Sequence, residues 1–145
     1  MRYLFKGLLM MLLVFVLAAC GNALSDEAQA NQDVAVDALI TQASEDDGYS
    51  EMLEGSWICA ETTARDQTMV SCMFFFTYET VSGETHYATV SAGGTGDNRD
   101  ASATLYDDAA SFTADKATAL DNLRSFSDTF TEGELSTADL NTIND

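Results

Sequence analysis

The sequence is short of basic residues, of histidine and of long apolar runs. Lysine and arginine together number 6 against 24 acidic residues, which gives a net charge of −18. Such a chain repels nucleic acids, so DNA and RNA binding are excluded. The N-terminal apolar stretch, residues 7–19, is shorter than the roughly 20 apolar residues that a membrane-spanning helix needs. A permanent transmembrane helix is therefore not expected.

Catalytic signatures are also missing. His86 is the only histidine, and no G-x-S-x-G or comparable nucleophile motif accompanies it. The glycine-rich segment that begins at Gly93 lacks both the lysine and the spacing of a phosphate-binding loop. We therefore expect a protein without enzymatic activity and without a cofactor, apart from the covalent lipid considered next.

The N-terminus has the layout of a secretory signal peptide. Two basic residues precede the apolar stretch, and small residues end it directly before Cys20. Residues 17–20, LAAC, resemble the lipobox of bacterial lipoproteins. This resemblance implies cleavage before Cys20, a diacylglycerol on its thiol and an acyl chain on the freed amine. The alternative is an ordinary signal peptide with an incidental cysteine.

The lipobox divides the chain into a signal peptide (1–19), a lipidated N-terminus with a flexible tether (20–33) and one acidic domain (34–145). Two or three acyl chains suffice for stable membrane attachment. In the lipoprotein class an aspartate after the cysteine is the inner-membrane retention signal, and here Gly21 stands in its place. The resemblance thus implies the outer membrane, facing the periplasm, in a Gram-negative cell.

Signal removal makes the chain still more acidic. Four basic residues then remain against 24 acidic ones, for a net charge of −20. Long-range, salt-sensitive attraction would favour a cationic envelope or exported protein as partner. The charge is equally consistent with a solubility adaptation of an exported protein.

The mature chain begins with a polar segment, which is followed by a segment with the spacing of a helix. Residues 21–33 are small and polar, which predicts a flexible tether. In residues 33–43, Val36, Leu39, Ile40 and Ala43 recur at helical spacing and predict a short helix.

Two β-rich segments flank Arg65 and Asp66. If these two residues form the turn of a hairpin, Cys59 lies directly opposite Cys72 at a non-hydrogen-bonded pair, where Cα atoms are close. In an exported protein this predicts a disulfide. Two buried free thiols or a metal-binding pair are the alternatives.

This register divides the apolar residues of the hairpin between two faces. One face carries Trp57, Cys59, Val70, Cys72, Phe74, Phe76 and Tyr78, and the other carries Ile58, Ala60, Met69, Met73 and Phe75. The second strand is apolar on both sides, so it should be central and covered on both faces, by helices or by closure of the sheet.

A second hairpin is expected around Ser82 and Gly83, pairing Tyr78 with Tyr87 and Glu79 with His86. Residues 93–100 are expected to form a loop, and residues 101–106 a fourth strand. The predicted fold class is α+β, a small antiparallel meander of about four strands.

The C-terminal third changes to a helical period. Residues 113–131 carry an apolar stripe that predicts a helix, and Gly133 suits the position just past its end. A second short helix is predicted for residues 137–143, which would complete a helix-turn-helix.

Residues 128–139 also overlay the twelve-residue calcium loop of EF-hands. Asp128, Glu132, Glu134, Ser136 and Asp139 would offer oxygen ligands. Phe130 breaks the pattern, because it supplies no oxygen where Asp or Asn is required. A calcium-binding protein is therefore a minor alternative.

Two function classes remain. The first is a lipid-anchored, non-catalytic binding module whose acidic surface meets a cationic partner. The second is a structural envelope lipoprotein without a specific ligand.

Overall fold

The computed structural model describes residues 26–95, 98–126 and 130–135. Within them lie α1 (Asp26–Ser44), β1 (Glu51–Ala64), β2 (Gln67–Glu79), β3 (Thr85–Thr95), β4 (Asn98–Tyr106), α2 (Ala109–Phe126) and β5 (Phe130–Leu135). The strands form one antiparallel sheet in the order β4-β3-β2-β1-β5. The predicted α+β class with an antiparallel sheet is confirmed.

The β1–β2 hairpin has the predicted turn and register. Arg65 and Asp66 both adopt left-handed backbone conformations, with φ of 52° and 62°. Two positive φ values are the signature of the tight hairpin turn that matches strand twist. Cys59 faces Cys72, and the two form a disulfide with Cα atoms 4.1 Å apart. The predicted disulfide is confirmed.

Each face of the sheet packs against a different helix. Phe74 and Phe76 lie in the core beneath α1, together with Val36 and Leu39 of that helix. Phe75 points the other way and contacts the inner side of α2. The prediction that β2 is central and covered on both faces is therefore confirmed, and helices provide the cover.

Helix α1 begins at Asp26, earlier than the predicted Asp33. The second half of the predicted tether is thus helical, despite its polar composition. Asn31 explains the difference, because it is fully buried and its amide donates to the carbonyl of Val70 at 3.2 Å. Its side-chain oxygen accepts a hydrogen bond from Arg99 at 2.9 Å. Contacts with the sheet, rather than an apolar stripe, hold this part of the helix.

The glycine-rich segment is largely strand, and the loop predicted for residues 93–100 is wrong. Strand β3 continues to Thr95 and β4 begins at Asn98. Gly94 has a φ of 141°, and a Cβ at this position would overlap the carbonyl oxygen of Asn98. The glycine lets the two strands approach closely, so the hairpin extends where the composition indicated a loop.

The predicted C-terminal helix is confirmed, with different bounds, whereas the segment around Gly133 is a strand and not a helix end. Helix α2 spans Ala109–Phe126 instead of residues 113–131, and Phe130–Leu135 forms a fifth strand beside β1. Gly133 lies in the middle of that strand, opposite Trp57. A Cβ there would approach the indole to 3.0 Å, so the glycine lets β5 pass over the ring. The second predicted helix, residues 137–143, lies outside the described residues.

Asp108 caps the N-terminus of α2 through its carboxylate, so the capping interaction depends on pH. The backbone N–H of Ser111 donates to its carboxylate at 2.7 Å. Hydrogen bonds from the backbone and hydroxyl of Ser111 lower the pKa of Asp108 below its usual 3.8. A carboxyl whose pKa is lower in the folded state stabilises the fold above its unfolded pKa, and this contribution is lost as the pH falls through the folded pKa.

We therefore expect Asp108→Ala to lower the melting temperature at neutral pH, with a difference from wild type that shrinks below about pH 3.8. Asp108→Asn is the matched control, since asparagine caps a helix as well as aspartate but does not titrate. Thermal unfolding followed by circular dichroism across this pH range is the measurement. An asparagine variant as unstable as the alanine variant would contradict the capping role.

Candidate functional site

Carboxylates gather at one end of the sheet, where β1 and β3 begin and β2 and β4 end. We call this the acidic end. Its members come from the three connections and strand termini that meet there: Glu45, Asp46, Asp47, Glu51, Glu79, Glu84, Asp107 and Asp108. The segments 44–51, 79–86 and 106–110, which build it, contain no lysine or arginine. This end therefore carries concentrated negative charge.

The end of α1 brings the first of these segments against the sheet. Gly48 donates its backbone N–H to the carbonyl of Ala43 at 2.7 Å, and Ser50 donates to the carbonyl of Glu79 at 2.8 Å. Gly48 has a φ of 80°, and a Cβ there would lie 2.6 Å from the side chain of Val81. Only glycine fits both the backbone conformation and the close approach. The acidic turn that follows α1 is thereby fixed beside the β2–β3 connection.

The β2–β3 connection is one residue longer in effect than predicted. Thr80 donates its backbone N–H to the carbonyl of Glu84 at 2.8 Å, and its hydroxyl accepts from the N–H of Glu84 at 3.1 Å. These bonds between Thr80 and Glu84 enclose a three-residue loop, residues 81–83, in place of a two-residue turn. Tyr78 consequently pairs with His86 and Glu79 with Thr85, so both predicted pairs are wrong by one position.

His86 lies beneath the acidic end. It is 5% exposed, with Nδ1 at 3.7 Å from a carboxylate oxygen of Asp47 and Nε2 at 3.7 Å from one of Glu84. Asp107 joins these residues around an open cavity of about 480 Å³. The edge of the imidazole faces the ring of Tyr78, with centroids 6.0 Å apart.

The negative potential of this end extends to its neighbours. Burial and the nearby carboxylates of Asp46 and Asp47 raise the pKa of Tyr78 above its usual 10, so the phenol stays protonated. Val81 is 73% exposed at the tip of the β2–β3 connection. The acidic end thus combines carboxylates with an exposed apolar side chain, an arrangement suited to ammonium or guanidinium groups carried on a partner surface.

Arginine occurs towards the opposite end of the sheet. Arg65 forms part of the β1–β2 turn and Arg99 lies near the start of β4, each followed by an aspartate, and we call this the arginine end. Arg124, in the last turn of α2, instead pairs with Glu132 opposite the middle of β1. Strand β2 runs between the two ends and, at 13 residues and about 3.3 Å per residue, separates them by about 40 Å. Helix α1 runs from the arginine end towards the acidic end. Its first turns therefore lie at the arginine end, where Asn31 contacts Arg99.

The residues predicted as calcium ligands do not form a loop where the structure describes them. Glu132 and Glu134 lie in β5, opposite Ile58 and Ser56. Glu132 accepts a hydrogen bond from Arg124 at 2.9 Å, so its charge is already paired. Asp128, Ser136 and Asp139 lie outside the described residues. Among residues 26–95, 98–126 and 130–135 no group of His, Cys, Asp and Glu is arranged to hold a metal ion.

The lipidation site predicted at Cys20 also lies outside the described residues. No helix within the described ranges combines the length and apolar character needed to cross a membrane. Cys59 and Cys72, by contrast, lie in the core beneath α1, where the Cys72 sulfur accepts a contact from the Asn31 amide at 3.5 Å. The disulfide is therefore a structural element, remote from the acidic end.

Sequence reasoning missed Lys116. It occupies the inward stripe of α2, four residues after Phe112 and four before Leu120, both of which contact the sheet. Its ammonium lies 3.3 Å from the hydroxyl of Ser56 and 5.2 Å from the centre of the Phe75 ring. A lysine between two apolar residues at i−4 and i+4 is the signal that would have identified it.

The sequence matches no protein-family model and no curated protein, and the fold matches no solved structure. The function therefore has to follow from the geometry and charge of the chain itself.

Proposed function

We propose that this chain is a lipid-anchored, non-catalytic binding module that presents its acidic end to a cationic partner in the cell envelope. The observation that carries the proposal is the clustering of negative charge. Eight carboxylates and no lysine or arginine stand at one end of the sheet, whereas the other end, where α1 begins, carries Arg65 and Arg99 beside Asp66 and Asp100.

The direction of α1 relates the position of the acidic end to the position of the anchor. Cys20 precedes Asp26 by six residues, which span at most about 20 Å when fully extended. A lipid on Cys20 would thus hold the arginine end, where α1 begins, near the bilayer. The acidic end then points away from the membrane, towards the periplasm if the protein resides in the outer membrane as the lipobox resemblance implies.

The anchor is tested by mass spectrometry of the native protein. We expect a chain that begins at Cys20 and carries the added mass of a diacylglycerol and an acyl chain. Cys20→Ser should release the protein from membranes into the soluble fraction. An intact, unmodified wild-type protein in the soluble fraction would exclude lipid anchoring and leave the acidic end to be tested separately.

The orientation is tested with fluorophores on the acylated protein in vesicles that contain a headgroup quencher. Met69→Cys labels the arginine end and Val81→Cys the acidic end, and both parent side chains are exposed. We expect stronger quenching of the label at residue 69. Equal quenching of the two labels would contradict the proposed orientation.

Partner binding is tested with octalysine as a defined cationic probe. The variant Glu45→Gln, Asp46→Asn, Asp47→Asn, Glu84→Gln should weaken binding by about tenfold at low salt, because it removes clustered charge. The matched control removes the same charge from exposed positions elsewhere: Asp33→Asn, Asp37→Asn, Asp66→Asn, Asp121→Asn. It should change the affinity by less than about threefold.

Equal losses in the two variants would mean that total charge, and not the acidic end, governs binding. Nuclear magnetic resonance should then place the probe at no particular segment, whereas the proposal requires shifts in residues 44–51, 79–86 and 106–108. Salt-insensitive association of the native protein with envelope polymer would favour the alternative, a structural lipoprotein without a specific ligand.

A further inference from the structure

A cleft separates α2 from the edge of the sheet formed by β1 and β5. It consists of two adjoining cavities of about 270 and 230 Å³. Ser56, Phe75, Lys116 and Glu134 line both of them, so Lys116 stands at the point where they meet. Each volume lies below the range of about 300–1,000 Å³ that is typical of sites for drug-sized molecules, which indicates a smaller ligand.

Lys116 has no carboxylate partner within the part of the chain that the structure describes. The ammonium donates to the Ser56 hydroxyl and lies over the face of Phe75, and it forms no ion pair with any described residue. Glu132 of β5 forms its ion pair with Arg124 and not with Lys116. A half-buried ammonium that forms no ion pair with residues 26–95, 98–126 and 130–135 retains its capacity to bind an external anion. An ammonium offers three donors, and Ser56 occupies one.

Apolar side chains form part of the walls around Lys116, among polar and charged neighbours. Phe75 and Phe112 are buried, and Leu53, Leu120 and Leu135 are half-buried along the cleft. A ligand whose head binds Lys116 would therefore place an uncharged tail against aromatic and aliphatic side chains. Burial of that tail supplies binding free energy that the exposed acidic surface of the protein cannot.

The residues at the rim of the cleft restrict the charge that a ligand's head group can carry. Glu54 and Glu134 are exposed at the mouth of the cleft, where they repel anions more strongly as the anionic charge increases. A phosphate or a dicarboxylate is therefore disfavoured relative to a single carboxylate. We propose that this cleft binds a small monocarboxylate with an apolar tail, whose carboxylate accepts hydrogen bonds from Lys116 Nζ and the Ser56 hydroxyl.

The proposal does not depend on the acidic end or on the lipid anchor. Residues 20–145 with Cys20→Ser contain every described element and serve as the test protein. Hexanoate is the probe, and hexanol and hexylammonium carry the same tail with a neutral or cationic head. The cleft has an intrinsic reporter, because Trp57 is the only tryptophan, is 3% exposed and lines the second cavity.

We expect hexanoate to bind most tightly of the three and to change the Trp57 fluorescence. Lys116→Met keeps the apolar stem of the side chain and removes its charge, so it should weaken hexanoate binding by about tenfold or more and leave hexanol binding unchanged. Arg65→Asn is the matched control, because it removes one exposed cation at the β1–β2 turn and should leave hexanoate affinity unaltered.

Glu134→Gln provides a test whose expected result is tighter binding, which a folding defect would not produce. Removing this rim charge should tighten hexanoate binding by about twofold and leave hexanol unaffected. Hexanol that binds as tightly as hexanoate, a preference for hexylammonium, or a folded Lys116→Met protein with unchanged hexanoate affinity would each overturn the proposal. Thermal unfolding of each variant establishes that it is folded.

Discussion

Replacing Cys59 and Cys72 together by alanine is expected to lower the free energy of unfolding by about 3 kcal/mol. The disulfide closes a short loop, with a sequence separation of 13, and its main effect in the chain-entropy account is to restrict the unfolded state. The cross-link also joins β1 and β2, which pair with each other in the interior of the sheet. The expected loss is a large part of the 5–15 kcal/mol that is typical of a domain.

Urea unfolding of the wild-type and double-alanine proteins is the measurement. The wild-type protein with reductant should approach the stability of the double variant, since both lack the cross-link. A second comparison, at constant oxidation state, is Cys20→Ser, which leaves the disulfide intact and should not change the midpoint. A double variant as stable as wild type would mean that hairpin register and packing alone fix these strands.

The second large effect is expected for Asn31→Ala, at about 2–3 kcal/mol, the upper range for leaving buried polar partners unsatisfied. Asn31 is fully buried and bonds to the Val70 carbonyl and to Arg99. Alanine has the higher intrinsic helix propensity, so any loss of stability must come from these tertiary contacts. The substitution should also loosen the start of α1, and with it the link between the domain and its proposed anchor.

Asp33→Ala is the matched control, because Asp33 lies two residues further along α1 with its side chain exposed. It should change stability by less than about 0.5 kcal/mol. Hydrogen exchange of residues 26–36 adds a local measurement, and faster exchange is expected only in the Asn31 variant. Equal unfolding midpoints for the Asn31 and Asp33 variants would show that α1 is held by its apolar side chains alone.

The two proposed binding sites, the acidic end and the Lys116 cleft, can be tested independently. In the first proposal the acidic end binds a cationic partner through charge, and in the second the Lys116 cleft binds a small carboxylate through one ammonium beside apolar side chains. Because the two sites lie on different parts of the fold, variants at one should not alter binding at the other. Loss of both binding activities in a single variant would indicate a global defect.

Several elements could be predicted because their signals are local. The alternation of apolar residues about Arg65 and Asp66 fixed the register that places Cys59 opposite Cys72. The same alternation separated Phe75 from Phe74 and Phe76, and thereby predicted a central strand with two covered faces. Side chains in a strand alternate strictly between faces, so one correct turn determines the side of every residue that follows.

Other elements could not be predicted because distant contacts decide them. Phe130–Leu135 shows neither alternation nor an apolar run, and it becomes a strand because the free edge of β1 supplies its hydrogen bonds. Gly133 suggested a helix end, whereas its actual role is to make room for Trp57. The start of α1 is polar, and it is helical because Asn31 finds partners on β2 and β4.

The sequence by itself determined the first hairpin, its disulfide, the two-faced core and the excess of negative charge. Only the tertiary structure decided where that charge collects and that Lys116 faces the sheet, with no ion pair to the described residues. The physical reason is that strand alternation acts between neighbouring residues. The acidic end and the cleft, by contrast, are made by segments far apart in sequence, which meet only when the strands have paired and the helices have packed.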